Sequence, residues 1–274
     1  MSNLPAMTPP PDYLDKNRAS WNARTPVHVA SEFYDMKSFM AGQCSLKDIE
    51  VALLGDITGK SLLHLQCHFG QDSLSLARRG ALVTGVDLAD QAIAQATELN
   101  AKLGTNATFI CCNVYDLPSH LDEQFDIVFT SYGTIGWLPD LERWASVVAR
   151  YLKPGGRFIM AEFHPVMWML DEEFSAITYS YFNAGAIEEV VQGTYADTSA
   201  PIQTETVSWI HPLGDVLGSL LRSGLQLASF NEFAHSPYAC FKHAEEFEPG
   251  KFRVRHLGSK IPLVYALEAR KPAV

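Results

Sequence analysis

The chain has 274 residues, 47% of them apolar and 19% charged, which is enough for a sizeable core and excludes wholesale disorder. It carries 21 basic and 31 acidic residues, a formal charge of −10, with no run of three basic residues. Gripping a phosphate backbone takes clustered Lys and Arg, so nucleic acid is not an expected partner. The five cysteines (Cys44, Cys67, Cys111, Cys112 and Cys240) include no C-x-x-C pair. An odd number without paired spacing points to reduced thiols, a cytoplasmic setting and no structural zinc.

In chain order, the start is MSNLPAMTPPPDYLDKNR, whose first dozen residues hold Pro5, Pro9, Pro10 and Pro11 and read as a loose arm. It lacks an apolar stretch long enough for a signal peptide, and no later run is long enough to span a bilayer, so no membrane partner is expected. Between residues 61 and 163, short apolar strands alternate with helical patterns, the signature of a parallel sheet with crossover helices. The first strand is Ser61–Leu65. A helix with Leu74 and Ala77 on one face follows and stops at Gly80. The second strand runs from Ala81 to Val86 and ends at Asp87. The next helix starts near Asp90, carries Ile93, Ala96, Asn100 and Leu103 at helical spacing, and ends at Gly104. Ala107–Cys112 and Phe125–Thr130 are the third and fourth strands. From Asp140 to Leu152 the stripe Leu141, Trp144, Val148, Tyr151 and Leu152 predicts a helix, with Asp140 as its N-cap. Pro154-Gly155-Gly156 predicts a turn into a fifth strand, Arg157–Phe163.

Residues 164–211 change character. Thr178–Phe182, Ile187–Tyr195 and Thr204–Ile210 are β-rich and separated by turn residues, which predicts an antiparallel excursion over the main sheet. Helical pattern resumes over Leu213–Arg222 and closes at Gly224. Two strands follow, Gln226–Phe233 and Leu263–Ala269, with Glu245–Glu248 between them read as a solvated loop.

The chemistry is concentrated in the loops that leave the carboxyl ends of these strands. The segment Leu62–Arg78 (LLHLQCHFGQDSLSLAR) is the strand-loop-helix where a doubly wound sheet binds a nucleotide-like ligand. Glycines normally let the ligand approach the backbone there. Here only Gly70 is glycine, so the match to G-x-G-x-x-G is poor. Asp87, at the end of the second strand, can accept both hydroxyls of a ribose, or it can be a solvated strand-end acid or a cap for the following helix. After the third strand, Cys112-Asn113-Val114-Tyr115-Asp116-Leu117-Pro118 supplies a polar side chain able to bond an adenine amino group. Phe125-Asp126-Ile127-Val128 is followed by Thr130-Ser131-Tyr132-Gly133, and Leu152-Lys153-Pro154-Gly155-Gly156 opens the fifth strand.

This ordered set resembles the S-adenosylmethionine-dependent methyltransferases of the Rossmann-like class I fold, in particular bacterial small-molecule enzymes with an L-H-L-Q-C-H-F-G loop. The motifs cover about residues 60–164. The resemblance implies an α/β fold: a doubly wound, mostly parallel seven-stranded sheet with an antiparallel last strand. It implies an N-terminal arm and helical lid over 1–59, and a catalytic domain over 60–274 with a β-rich insertion at about 166–211. It further implies S-adenosylmethionine as cofactor, with S-adenosylhomocysteine as product and no metal. By that likeness Gln66, Cys67, His68, Phe69 and Gly70 flank the methionine part, with His64 near the cofactor's amino group. Asp87 holds the ribose, Leu88 lies against the adenine face, and Asn113 and Val114 read the adenine edge. Ser131 and Tyr132 lie between cofactor and substrate. The sequence departs from the family pattern at three places. Gln66 and His68 replace the first two loop glycines, Asn113 replaces the commoner aspartate, and His64 stands where an acid is often found.

Methyl transfer from a sulfonium is an in-line displacement with an activated leaving group, so positioning carries most of the work. A general base is needed only where the acceptor must lose a proton. His164, after the fifth strand in Ala161-Glu162-Phe163-His164-Pro165, is the candidate base, with Tyr132 beside it; the bland alternative is a histidine bonded to loop backbone. Glu162 is a second polar candidate there, or points into a helix-facing layer; His211, His235 and Tyr238 are read as loop residues, with pocket lining as the alternative. Trp21, His28, Phe33 and Tyr34 belong to the expected lid, or to a helix packed on the sheet edge. The aromatics Trp168, Phe174, Tyr179, Tyr181, Phe182, Tyr195 and Trp209 of the excursion could cap an apolar pocket or form a homodimer contact. The acidic chain favours a small substrate that is uncharged or cationic. Two other readings stay open: a dinucleotide oxidoreductase, and a non-catalytic S-adenosylmethionine-binding protein.

Overall fold

The computed structural model describes residues 8–273. Pro5 and the other residues before position 8, which the sequence assigns to a loose arm, lie outside the described residues. Three helices come first: α1 (Tyr13–Ala30), α2 (Met36–Met40) and α3 (Asp48–Leu54). The alternating part follows as β1 (Ser61–Leu65), α4 (Gln71–Arg78), β2 (Leu82–Asp87), α5 (Asp90–Leu103), β3 (Thr108–Cys111), β4 (Phe125–Ser131), α6 (Leu141–Tyr151) and β5 (Leu152–Phe163). Then come a hairpin, β6 (Ile187–Gln192) and β7 (Gln203–Ser208), and α7 (Leu213–Arg222) with β8 (Gln226–Phe233). A second hairpin, β9 (Ala244–Glu248) and β10 (Lys251–Val254), precedes the closing strand β11 (Val264–Arg270). Among these residues no helix is long and apolar enough to cross a membrane.

Seven strands form one sheet in the order β3-β2-β1-β4-β5-β11-β8. β11 runs antiparallel to both its neighbours, β5 and β8, as the expected fold class requires. The period-two alternation of each strand divides the core into two layers. Leu63, Leu65, Val128, Phe158 and Met160 face the side of α6 and α7, around the fully buried Trp144 and Tyr151. Leu62, Ile127, Phe129 and Ile159 face the other way, against Leu54 of α3 and Leu76 of α4. Strand order reverses between β1 and β4, which opens a crevice at their carboxyl ends.

Local signals set the crossover helices. Gly104 takes a left-handed conformation (φ 62°) that ends α5, and the Asp140 side chain accepts the Arg143 N–H at the start of α6. Helix α1 lies across the crevice. The Asn17 amide bonds Val207 of β7 in both directions, at 2.8 and 2.9 Å, and Asn22 donates to Asp90 of α5 at 2.7 Å.

Three expectations are corrected. Pro154-Gly155-Gly156 is not a turn ahead of β5 but a bulge inside it. Leu152 already pairs with Phe125, the register slips before Ile127, and Gly155 and Gly156 exchange backbone bonds with Lys271. Thr178–Phe182 is not a strand, because the Thr178 and Tyr179 amides both turn onto the Met169 carbonyl (2.7 and 3.0 Å) and bend the segment. Glu245–Glu248 is not a solvated loop but most of β9. Its acidic run is matched across the hairpin by Lys251 and Arg253, with Arg253 2.9 Å from Glu245.

Candidate active site

A cavity of about 470 Å³ opens at the carboxyl ends of β1 to β4, within the size range of small-molecule sites. The β1–α4 loop forms its floor. Gln66 and His68 both adopt left-handed backbone conformations (φ 54° and 52°), as does Gly70 (φ 76°). Gly70 has no alternative: a Cβ there would sit 2.8 Å from both Ala96 and the Phe109 ring. The Gln66 amide donates to the Thr134 carbonyl at 2.7 Å, and its Oε1 is buried without a partner. His68 Nε2 meets His28 Nδ1 at 2.8 Å, and burial pushes both imidazoles well down, His28 to about 3, so both are neutral. His64 is also buried and neutral, pushed down to about 3, and its Nδ1 lies 2.8 Å from Ser73 Oγ. Phe69 is buried against Tyr34.

Asp87 lines the cavity at the end of β2. One carboxylate oxygen accepts the His68 N–H (2.8 Å) and the other the Ala89 N–H (2.9 Å). Burial raises its pKa against the pull of these bonds. Each oxygen keeps a lone pair, so the carboxylate can still accept from a ligand. Leu88, Asn113 and Val114 line the same end. The Asn113 Oδ1 caps the short helix that follows by accepting from Tyr115 N (3.2 Å), which leaves its amide N–H groups for a ligand.

Past β4, Ser131 and Tyr132 line the opposite end. Tyr132 is left-handed (φ 28°), its N–H bonds the Ala161 carbonyl (2.7 Å), and its hydroxyl donates to Glu50 Oε2 at 2.8 Å. Glu162 does not reach the cavity. Its buried carboxylate accepts the N–H groups of Gly133, Thr134, Ile135 and Phe163 and so clamps the loop after β4. Phe163, Trp168, Tyr238 and Phe241 complete an aromatic pocket around Tyr132, with the Tyr132 and Tyr238 rings edge to face at 5.2 Å.

His164 is not brought to the cavity. It is buried beside the sheet, with Nε2 2.9 Å from Glu232 and Nδ1 accepting the Val166 N–H (3.2 Å). Both ring nitrogens are engaged away from the crevice, so the candidate base of the sequence reading is displaced. His211 is likewise engaged elsewhere, on the Leu138 carbonyl. Of the seven aromatics of the excursion, Trp168 and Tyr195 line the cavity. Phe174 and Trp209 are buried outside it, and Phe182 is on the surface. From the N-terminal segment, Trp21, Phe33 and Tyr34 line the wall, and His28 supports it through His68.

Sequence reasoning missed four polar residues. Arg24 and Lys47 line the cavity, and among the described residues neither has an ion-pair partner. The Arg24 guanidinium lies 5.4 and 5.7 Å from the rings of Trp21 and Trp137, with its Nε buried and unpartnered. Lys47 Nζ lies 4.8 Å over Tyr238. Asp72 lines the wall and accepts from Ser45 Oγ (2.6 Å), and Glu50 sits behind Tyr132. For Arg24 a signal existed: Asn17, Trp21, Arg24 and His28 share one face of α1 at helical spacing. Among the described residues no group of three or more His, Cys, Asp and Glu side chains could hold a metal ion.

Part of the chain is similar to known proteins. Residues 62–156, the span from β1 to the start of β5, match the methyltransferase domain family. A ubiquinone biosynthesis O-methyltransferase of Idiomarina loihiensis is 33% identical over 103 residues, 38% of this chain and 42% of that protein. The chain therefore matches less than half the length of that relative. Among solved structures, an S-adenosylmethionine-dependent methyltransferase from Mesorhizobium loti superposes with a TM-score of 0.57 at 19% identity, covering 85% of this chain and all (100%) of that one. The [4+2]-cyclase SpnF superposes at 0.59 and 18% identity over 98% of this chain and 99% of its own. At such identities the likeness is one of fold.

Proposed function

We propose that the chain is an enzyme that binds S-adenosylmethionine and transfers its methyl group to oxygen or nitrogen of a small-molecule acceptor by direct in-line displacement. The observation that carries this reading is one continuous cavity joining two different ends. At one end Asp87, Leu88, Asn113 and Val114 offer ribose and adenine contacts; at the other Tyr132 and its aromatic neighbours form a second pocket. The match over residues 62–156 and the likeness to a ubiquinone biosynthesis O-methyltransferase support the same reading.

The residues present fit the cofactor. Three buried polar atoms without partners, Gln66 Oε1, His68 Nδ1 and Arg24 Nε, belong to residues that line the cavity between its two ends. Unsatisfied buried groups are costly, and a polar ligand would satisfy them. Asp87 would hold the ribose hydroxyls, and Arg24, an uncompensated cation, would take the carboxylate of the methionine part. When bound, the cofactor supplies a methyl group on a good leaving group, so no metal is required of the protein. The chain orients the two reactants, with the clamp of Glu162 on the Gly133–Ile135 backbone fixing the wall between them, and the N-terminal helices act as a lid that excludes water.

Calorimetry tests this. S-adenosylmethionine or S-adenosylhomocysteine should bind the folded chain, and Asp87→Ala should weaken binding by roughly 1.5–3 kcal/mol through loss of charge-assisted hydrogen bonds. No binding of either compound would overturn the proposal, and an unchanged affinity in the variant would remove Asp87 from the site.

A further inference from the structure

Glu50 is completely buried, at 0% exposure, with no basic partner within ion-pair distance among the described residues. An ionised carboxylate in that position is costly unless a counter-charge or hydrogen bonds offset its burial. Part of its environment is local: Oε1 accepts the Lys47 N–H at 2.8 Å, as an acid three residues into a helix does. Oε2 does something else. It accepts the hydroxyl of Tyr132, 82 residues away, at 2.8 Å. Tyr132 is held for this contact in a left-handed conformation, by its own N–H on Ala161 and by the Glu162 clamp on the next three residues. The ring of Tyr132 lines the aromatic end of the cavity, and Glu50 does not reach the cavity. A buried acid is thus connected to the acceptor pocket through a single phenol.

We propose that Tyr132 and Glu50 form a proton relay that deprotonates a hydroxyl group on an aromatic acceptor seated among Tyr132, Phe163, Trp168, Tyr238 and Phe241. The inference rests on the methyl-transfer reading above. Aromatic hydroxyls ordinarily ionise near pH ~10, so such an acceptor needs a base at neutrality, whereas a neutral amine does not. In the step, the acceptor oxygen bonds the methyl carbon as that carbon's bond to sulfur breaks. The acceptor proton passes to Tyr132 Oη while the Tyr132 proton passes to Glu50 Oε2. The positive sulfonium and the negative carboxylate both become neutral, so charge and protons balance. Lys47, over the Tyr238 ring, adds a positive field that favours the developing phenolate. Tyr132 is the catalytic residue, and Glu50 acts through it.

Burial pushes the Glu50 carboxyl up to about 7, where it can gain and lose a proton under working conditions. The charged and titratable groups around it are few. Asp72 and Glu162 act on the relay from α4 and β5, and Lys47 and Tyr238 lie at its open side. Arg157, paired with Glu268 of β11, binds the Leu53 and Leu54 carbonyls at the far end of α3.

The test compares the wild type, Glu50→Gln and Tyr132→Phe, with S-adenosylmethionine as donor. Acceptors are a panel of mono- and dihydroxybenzenes set against aniline and benzylamine, and release of S-adenosylhomocysteine is followed across pH. Gln keeps the acceptor for Lys47 N–H and the shape of Glu, and calorimetry with S-adenosylhomocysteine confirms an intact cofactor end in each variant. The wild type should methylate hydroxyl acceptors with kcat/KM rising through about pH 7. Both variants should lose roughly 10²-fold or more at alkaline pH, and Glu50→Gln should flatten the rise. Cofactor binding without methylation of any hydroxyl, methylation of the amines alone, or an unchanged pH profile in Glu50→Gln overturns the relay and leaves the methyl-transfer reading standing. Absence of cofactor binding in the wild type overturns both.

Discussion

The same carboxyl makes a thermodynamic prediction that needs no substrate. The Glu50 pKa is raised from 4.5 to about 7, chiefly by burial, with the Lys47 N–H and the Tyr132 hydroxyl pulling the other way. In the unfolded chain the group ionises near its ordinary value. Between the two values the folded protein holds a proton that the unfolded chain has released. Stability from this group is therefore complete below about pH 4.5, falls as pH rises, and is lost above about pH 7. At about 1.4 kcal/mol per pH unit, the gap amounts to roughly 3 kcal/mol. Glu50→Gln has no proton to lose and keeps the Lys47 contact. Its stability relative to wild type should therefore improve by roughly 3 kcal/mol between about pH 4 and pH 8, all other titrating groups cancelling in the comparison. Urea unfolding of both proteins at the two pH values reads this directly. Parallel stability profiles would refute the reasoning, since they would mean that Glu50 ionises alike in the folded and unfolded states.

Two further predictions follow from the geometry. Gly70→Ala forces a Cβ to 2.8 Å from Ala96 and Phe109 at a φ of +76°, so overpacking and left-handed strain together should cost roughly 2–4 kcal/mol in the same urea assay. Arg24→Met removes a buried cation that has no ion-pair partner among the described residues. It should leave stability equal or higher while weakening S-adenosylmethionine binding by roughly 1.5–3 kcal/mol. Decarboxylated S-adenosylmethionine should bind both proteins alike, and equal discrimination against it by wild type and variant would move the carboxylate away from Arg24.

What was legible in the sequence followed from local rules. β1, α7 and β8 begin and end at the residues expected, and Asp140 caps its helix, because hydrophobic period, caps and glycine stops act within a few residues. The misplaced pieces depend on partners far along the chain. Glu245–Glu248 looks like a solvated acidic run until Lys251 and Arg253 are laid opposite it. His164 looks like a cleft residue from its place after β5, but Glu232 of β8 holds it on the other side. Glu50 could not be found from its own neighbourhood. Its spacing from Lys47 describes a helix start, and only the fold brings Tyr132 onto its second oxygen.

The departures from a glycine-rich loop have a physical resolution. A glycine at position 66 or 68 would supply φ > 0 without strain, whereas Gln66 and His68 adopt it at φ 54° and 52°. Left-handed backbone costs about 1–2 kcal/mol for a residue with a Cβ, so the trace is kept at a cost that other contacts must offset. The contacts are present. Gln66 bonds the Thr134 carbonyl across the crevice, and His68 bonds His28 of the covering helix through its ring and Asp87 through its backbone. Tyr132, left-handed like Gln66 and His68, is fixed by Glu50 and Ala161. In each case the strained residue ties the loop to a different wall: β4's loop, α1, or α3. A glycine at any of these three positions would lose that side-chain bond. The side chains therefore keep the left-handed backbone path and couple the floor of the cavity to its cover, with the strain concentrated at the proposed ligand site.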